Sequence, residues 1–137
     1  MRWIVAYFAT FAVFLVIDLL WLGVIARDFY RDALGPRLEV DLAIAFGFYA
    51  IYVSGLVIFA VMPSDERGRL RDAALIGGLF GFYCYATYDL TNLATLKDWP
   101  AIIAIVDIPW GVVLSASSAL GGAAILRAAL GPRPQAG

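Results

Sequence analysis

The sequence predicts an all-α membrane protein: four transmembrane helices in an antiparallel bundle, with a short interfacial helix between helices one and two. Three observations predict it. The 137 residues are 63% hydrophobic, with a mean hydropathy of +0.84, whereas a soluble domain sits near half apolar. The charges are bunched. Between Trp3 and Ile25 the only charge is Asp18, between Leu42 and Met62 there is none, between Ala73 and Leu96 only Asp89, and between Ala101 and Leu126 only Asp107. Each run reaches the roughly 20 residues that cross a hydrocarbon core of about 30 Å, at about 1.5 Å per residue. The short alternating segments of a membrane β-barrel are absent.

Residues 1–126 read as a single transmembrane domain with helices over about 3–25, 42–62, 73–96 and 101–126. The first run is too long for a signal peptide, carries Asp18 within it, and is followed by no small-x-small cleavage site. The connection "ARDFYRDALGPRLEV" places Phe29, Tyr30, Ala33 and Leu34 on one side and charges on the other, and Gly35-Pro36 ends it. That pattern predicts a short helix lying on the membrane surface. Pro63 opens a polar turn, "PSDERGRLRD", before the third helix. A tight connection at Asp98-Trp99-Pro100 makes the third and fourth helices neighbours. The Pro/Gly-rich end makes 127–137 a mobile polar tail.

Arg2, Arg67, Arg69, Arg71, Arg127 and Arg133 fall on one side of the expected membrane, and Arg27, Arg31, Arg37 and Lys97 on the other. Six against four predicts that both termini lie in the cytoplasm. Trp3 and Trp99 fall where indoles anchor at the interface, whereas Trp21 and Trp110 lie well inside their helices. No basic cluster points to nucleic acid. One cysteine and no histidine exclude disulfide frameworks, the usual zinc sites and bis-His haem. Cys84 reads as a small apolar residue, and no metal or cofactor is assigned.

Asp18 precedes Arg27 by nine residues, Asp89 precedes Lys97 by eight, and Asp107 follows Asp98 by nine. All three therefore lie roughly 12–14 Å below the same boundary, near the membrane centre. A lipid-facing Asp there would cost roughly 3 kcal/mol or more on insertion, so each is expected to face inward and share one polar layer. Trp21 and Trp110 each follow an acid by three residues, on the same helical face. Tyr85 sits one turn before Asp89 and Asn92 one turn after, with Tyr88 adjacent; Tyr49 and Tyr52 give helix two a polar-tipped face. Pro109 leaves the Ile105 carbonyl without its helical donor beside Asp107. Aromatics around acids suit a cation or an amine. Nothing at this level would hold a phosphate, because every Arg and the single Lys lie in loops or at helix ends. Three like charges there call for shared protons or a bound cation. The candidate ligand- or proton-binding set is thus Asp18, Asp89, Asp107, Asn92, Tyr85, Tyr88, Trp21 and Trp110. Gly77-x-x-x-Gly81, Gly111/Ser115 and Ser118/Gly122 are small-residue faces for close helix packing.

The blocks "DLLWLG" (Asp18 to Gly23), Tyr30, "YDLTNLATL" (Tyr88 to Leu96), Trp99-Pro100 and "DIPWG" (Asp107 to Gly111) resemble the bacterial predicted-membrane-protein family catalogued as domain of unknown function 2177. The resemblance runs from helix one through helix four, and Tyr-Asp-Leu-Thr-Asn is its most specific part. It implies a four-helix inner-membrane protein and leaves the chemistry open. Three functions compete. The acidic layer suits proton-linked binding or transport of a cationic or amphipathic small molecule. It also suits a membrane enzyme acting on a lipid-like substrate, with an Asp as general acid/base and Tyr85 or Tyr88 as its partner. As bundle glue, it suits an accessory subunit of a membrane complex. Expected partners are membrane lipids and a homodimer or larger membrane complex.

Overall fold

The computed structural model describes residues 1–134, and among them every regular element is helical. Helix α1 spans Arg2–Leu20 and widens into a π-turn over Trp21–Ile25. Helix α2 spans Arg27–Leu34 and runs into a short 3-10 turn, Gly35–Arg37. Helix α3 (Leu42–Leu56) continues through a second π-turn, Val57–Val61, into α4 (Met62–Arg67). Helices α5 (Leu70–Thr95) and α6 (Ala101–Leu130) complete the chain. Three stretches are long and apolar enough to cross a membrane: Arg2–Ile25, Leu42–Arg67 and Ala101–Leu130. Their outward side chains suit lipid: Leu20, Ile25, Ile44, Ile51 and Phe59 are each more than half exposed.

Two boundaries differ from those the sequence predicts. The second helix does not stop at Met62 but reaches Arg67. Pro63 lacks an N–H, and its ring would press on the carbonyl four residues back. The π-turn just before it widens the helix at that point, so the chain passes through rather than ending. The actual stop is Gly68 in the left-handed region (φ 65), where Arg69 N–H closes onto the Ser64 carbonyl at 3.0 Å. The expected tail from residue 127 is helical as far as Leu130, and Arg133 reaches Glu66 at 3.1 Å. The rest of that tail, residues 135–137, lies outside the described residues.

Helix α6 forms the spine. Its buried residues Gly111, Leu114, Ser115, Ser118, Ala119, Gly122, Ala123 and Leu126 recur at three- and four-residue intervals, a stripe along one face. Against it α5 lays Gly77 and Gly81. A Cβ at Gly77 would stand 2.7 Å from the Ala119 Cβ and 2.8 Å from the Ser115 carbonyl oxygen, so the helices touch backbone to backbone. On another side, α1 brings Thr10 against Gly122. The small-residue faces thus serve packing within the chain. Phe14, Tyr52, Leu56 and Leu114 fill the space where α1, α3 and α6 meet.

The start of α1, the end of α4 and the end of α6 meet at one end of the molecule. Arg2 forks onto Asp65, with Nε–Oδ2 at 2.9 Å and Nη2–Oδ1 at 2.6 Å, and also donates to the Gly131 carbonyl at 3.0 Å. Asp65 is 6% exposed at its side chain, so these charge-assisted bonds are largely sheltered from water. Asp65→Asn should lower stability by about 1–3 kcal/mol, because a bidentate ion pair becomes a single bond from the guanidinium to a neutral amide oxygen. Thermal unfolding in detergent measures this, and an unchanged midpoint would show that the clamp contributes nothing.

Helix α2 sits at the other end and does not present its apolar side to a membrane surface. Tyr30 and Ala26 are buried against Ile103, with Trp21, Phe29, Ala33, Leu34 and Trp99 packed around them. Trp99 is accordingly half-buried, while Trp3 is 52% exposed.

Candidate functional site

Asp18 closes the buried face of α1, made of Ala6, Thr10, Phe14 and Asp18 at intervals of four. Both of its oxygens have donors. The Tyr49 hydroxyl of α3 donates to Oδ2, and Trp110 Nε1 of α6 donates to Oδ1 at 3.3 Å. The Trp110 ring stacks on Trp21, with centroids 4.2 Å apart and planes at 9°. Trp21 lies on the π-turn that ends the first helix, and its Nε1 donates to the Tyr30 hydroxyl at 3.2 Å. Tyr30 in turn donates to Asp107 Oδ1. Asp89 of α5 stands beside Asp107, though neither of its oxygens receives a hydrogen bond. One polar network therefore runs from Tyr49 through Asp18, the paired indoles, Tyr30 and Asp107 to Asp89.

The acids are not equivalent. Asp18 is saturated with donors. Asp89 is 0% exposed, and neither of its oxygens meets an N–H or O–H. Two ionised carboxylates offer no donor to each other, and a charge buried that way costs several kcal/mol, on the order of a lost charged hydrogen bond or more. With one proton between them, Asp89 and Asp107 become a hydrogen-bonded acid–carboxylate pair. Burial, the bond to Asp107 and that carboxylate's charge all hold the Tyr30 hydroxyl well above the ordinary phenol range, so Tyr30 stays a donor.

Six of the eight sequence candidates fall in or beside this network: Asp18, Asp89, Asp107, Trp21 and Trp110 within it, and Tyr85 beside it, its ring lying over Gly111. Asn92 is half-buried one turn beyond Asp89 and bonds neither Asp18 nor Asp107. Tyr88 is 58% exposed and turns toward Trp99, its ring centroid 6.4 Å away, so it stands apart from the acids. The indoles stack on one another instead of leaving a slot between them, which alters the expected aromatic-lined cation pocket. Two hydroxyls, Tyr30 and Tyr49, join the network without having been among the candidates. Tyr49 was visible as part of the polar-tipped face of the second helix. Tyr30 was visible as an aromatic on the apolar side of α2 and as one of the residues carrying the family resemblance, with nothing to pair it with Asp107.

Comparison with known proteins adds a family. Neither the curated proteins nor the solved structures gave a match. The family described as "Predicted membrane protein (DUF2177)" matches residues 3–124, which takes in every acid of the network. The chain belongs to that predicted-membrane-protein family.

Proposed function

We propose that this is a small inner-membrane protein of four crossings whose Asp89–Asp107 pair carries a proton, and that the proton is linked to binding or transport of a cationic or amphipathic small molecule. The observation behind this reading is Asp89: fully buried, without a donor, and beside a second carboxylate. Such a pair takes up a proton or a small cation. The stacked indoles favour the proton, since no organic cation fits between rings 4.2 Å apart. In the four-crossing arrangement α5 is the extra span. At 26 residues it extends roughly 39 Å, enough for a bilayer core. Its exposed Tyr83, Thr87, Thr91 and Thr95 suit contact with another protein better than lipid, which favours a dimer or a larger complex.

Reconstituted protein should dissipate a pH gradient when a lipophilic cation is present on one side, and a vesicle-trapped pH dye reads this. No dye response in the presence of the cation, with protein correctly inserted, would remove the transport reading. The accessory-subunit reading is favoured by one specific observation, the saturated Asp18, whose bonds are those of structural glue. The enzyme reading loses one of its two tyrosine partners, because Tyr88 points away.

Topology is tested separately. In a Cys84→Ala background, a cysteine at Glu39 should react with an impermeant thiol reagent in intact cells, and one at Arg69 should not. Both positions are exposed. Labelling at Arg69 from outside would invert the cytoplasmic placement of the termini.

A further inference from the structure

One face of α6 carries a polar or small residue on successive turns: Asp107, Gly111, Ser115, Ser118 and Gly122. Four of these five positions are met by a hydroxyl-bearing side chain from a different helix. Tyr30 of α2 donates to Asp107. The ring of Tyr85 from α5 lies over Gly111. The Tyr52 hydroxyl of α3 and the Ser115 hydroxyl are 2.6 Å apart. Thr10 of α1 packs on Gly122. The remaining position, Ser118, sits between Ser115 and Gly122 on the same face.

Thr10 and Ser118 are both 0% exposed, and neither hydroxyl has a partner. Several other hydroxyls of the chain bond back to their own helix. Thr87 donates to the Tyr83 carbonyl at 2.6 Å, Thr95 to the Thr91 carbonyl at 2.7 Å, and Ser64 to the Val61 carbonyl at 2.8 Å. Thr10 and Ser118 forgo that bond. Buried polar groups without protein partners are the usual hosts of internal water. Toward the clamped end the neighbours turn dry: Ala6, Ala60, Val61 and Leu126 are each 0% exposed and separate these hydroxyls from Arg2 and Asp65.

We propose that Thr10 and Ser118 hold internal water, and that the hydroxyls along this face of α6 form a proton route from the clamped half of the protein to the Asp89–Asp107 pair. The proposal rests on the reading of that pair as a proton site. Water at Thr10 and Ser118 accepts a proton and releases another toward Ser115 and Tyr52. Transfer continues past Tyr85 to the carboxylate of the acid pair. Only O–H bonds break and form, and each intervening oxygen ends with the protons it began with. The layer of Ala6, Ala60, Val61 and Leu126 separates the route from bulk water at the clamped end, and passage through the Thr10 and Ser118 hydroxyls is its slow step.

The test uses the full chain inserted one way in vesicles. The carboxyl band of the acid pair is followed by time-resolved infrared spectroscopy after acid is added on the clamped side or on the α2 side. Ser118→Ala and Thr10→Val should slow protonation from the clamped side by roughly tenfold, the effect on a rate of losing one hydrogen-bonding step. Protonation from the α2 side should be unchanged. Ser118→Thr and Thr10→Ser, which keep the hydroxyl, should restore the rate, separating a lost hydroxyl from damaged packing. A normal band with clamped-side rates equal to wild type in Ser118→Ala and Thr10→Val overturns the route and leaves the acid pair standing. Failure of the hydroxyl-keeping variants to restore the rate also overturns it. Absence of any shared-proton band in the wild type removes the acid-pair reading itself.

Discussion

Asp89→Asn should abolish proton uptake by the acid pair while leaving the helices packed. The amide of Asn has nearly the shape of the carboxyl group and brings the donor that Asp107 lacks on that side. A buried carboxylate without a donor, Asp89, is thereby replaced by a neutral amide that can donate to Asp107. Stability should be unchanged or higher by about 1 kcal/mol, since an unsatisfied buried group has been satisfied. Proton-linked activity should fall to the level of empty vesicles, because the proton no longer has two carboxyl oxygens to share. Asp18→Asn should behave in the opposite way. The Asn oxygen still accepts from Trp110 and its amide N–H can donate to Tyr49, whose hydroxyl turns from donor to acceptor. The lost charge assistance costs about 1 kcal/mol, while proton uptake should persist. Paired measurements of thermal stability and proton uptake on the two variants decide the matter. Equal loss of uptake in both would make the three acids a single functional unit, and no loss in either would make them packing elements.

Gly81→Leu should separate α5 from α6 and cost about 3 kcal/mol or more, at the upper end of what overpacking a close contact does. Even a Cβ at Gly81 would come within 2.5 Å of the Ser115 hydroxyl and would press on the Gly111 carbonyl, which belongs to the backbone and cannot rotate away. The change strikes the functional layer as well, because Ser115, Gly111 and the Tyr85 ring share that contact. Expected results are loss of the monodisperse detergent-solubilised species and loss of proton uptake. Gly47→Ala is the control: a Cβ there meets nothing within 4 Å. It should be neutral or stabilise by about 0.5–1 kcal/mol through helix propensity. A Gly81→Leu protein as stable as Gly47→Ala would mean that α5 and α6 are not in close contact.

Much of the fold was legible because it depends on local quantities. The absence of charge between Leu42 and Met62, and the lone acids of the other runs, mark the long helices directly. Gly77, Gly81, Gly111 and Ser115 mark the faces that approach closely, since a helix without side chains on one face can be buried only by another helix. The end of the second helix was misread at Pro63, because a π-turn, invisible in residue types, accommodates the proline and leaves Gly68 as the stop.

The inward placement of Asp18 and Asp89 also followed from the sequence, because lipid imposes a cost on a charge that depends only on depth, and depth is counted in residues. What depth could not tell is which donors each acid meets. Tyr30 is twelve residues from Asp18 along the chain and yet binds Asp107, through a turn that folds α2 back onto the start of α6. Trp21 and Trp110 satisfy each other by stacking. Asp18 therefore ends with two donors and Asp89 with none. The sequence by itself determined where charge can sit in this protein, since insertion depth is a one-dimensional property of the chain. The tertiary structure alone decided which acid is satisfied and which is left without a donor, since hydrogen bonds depend on ångström-scale distances between side chains far apart in sequence.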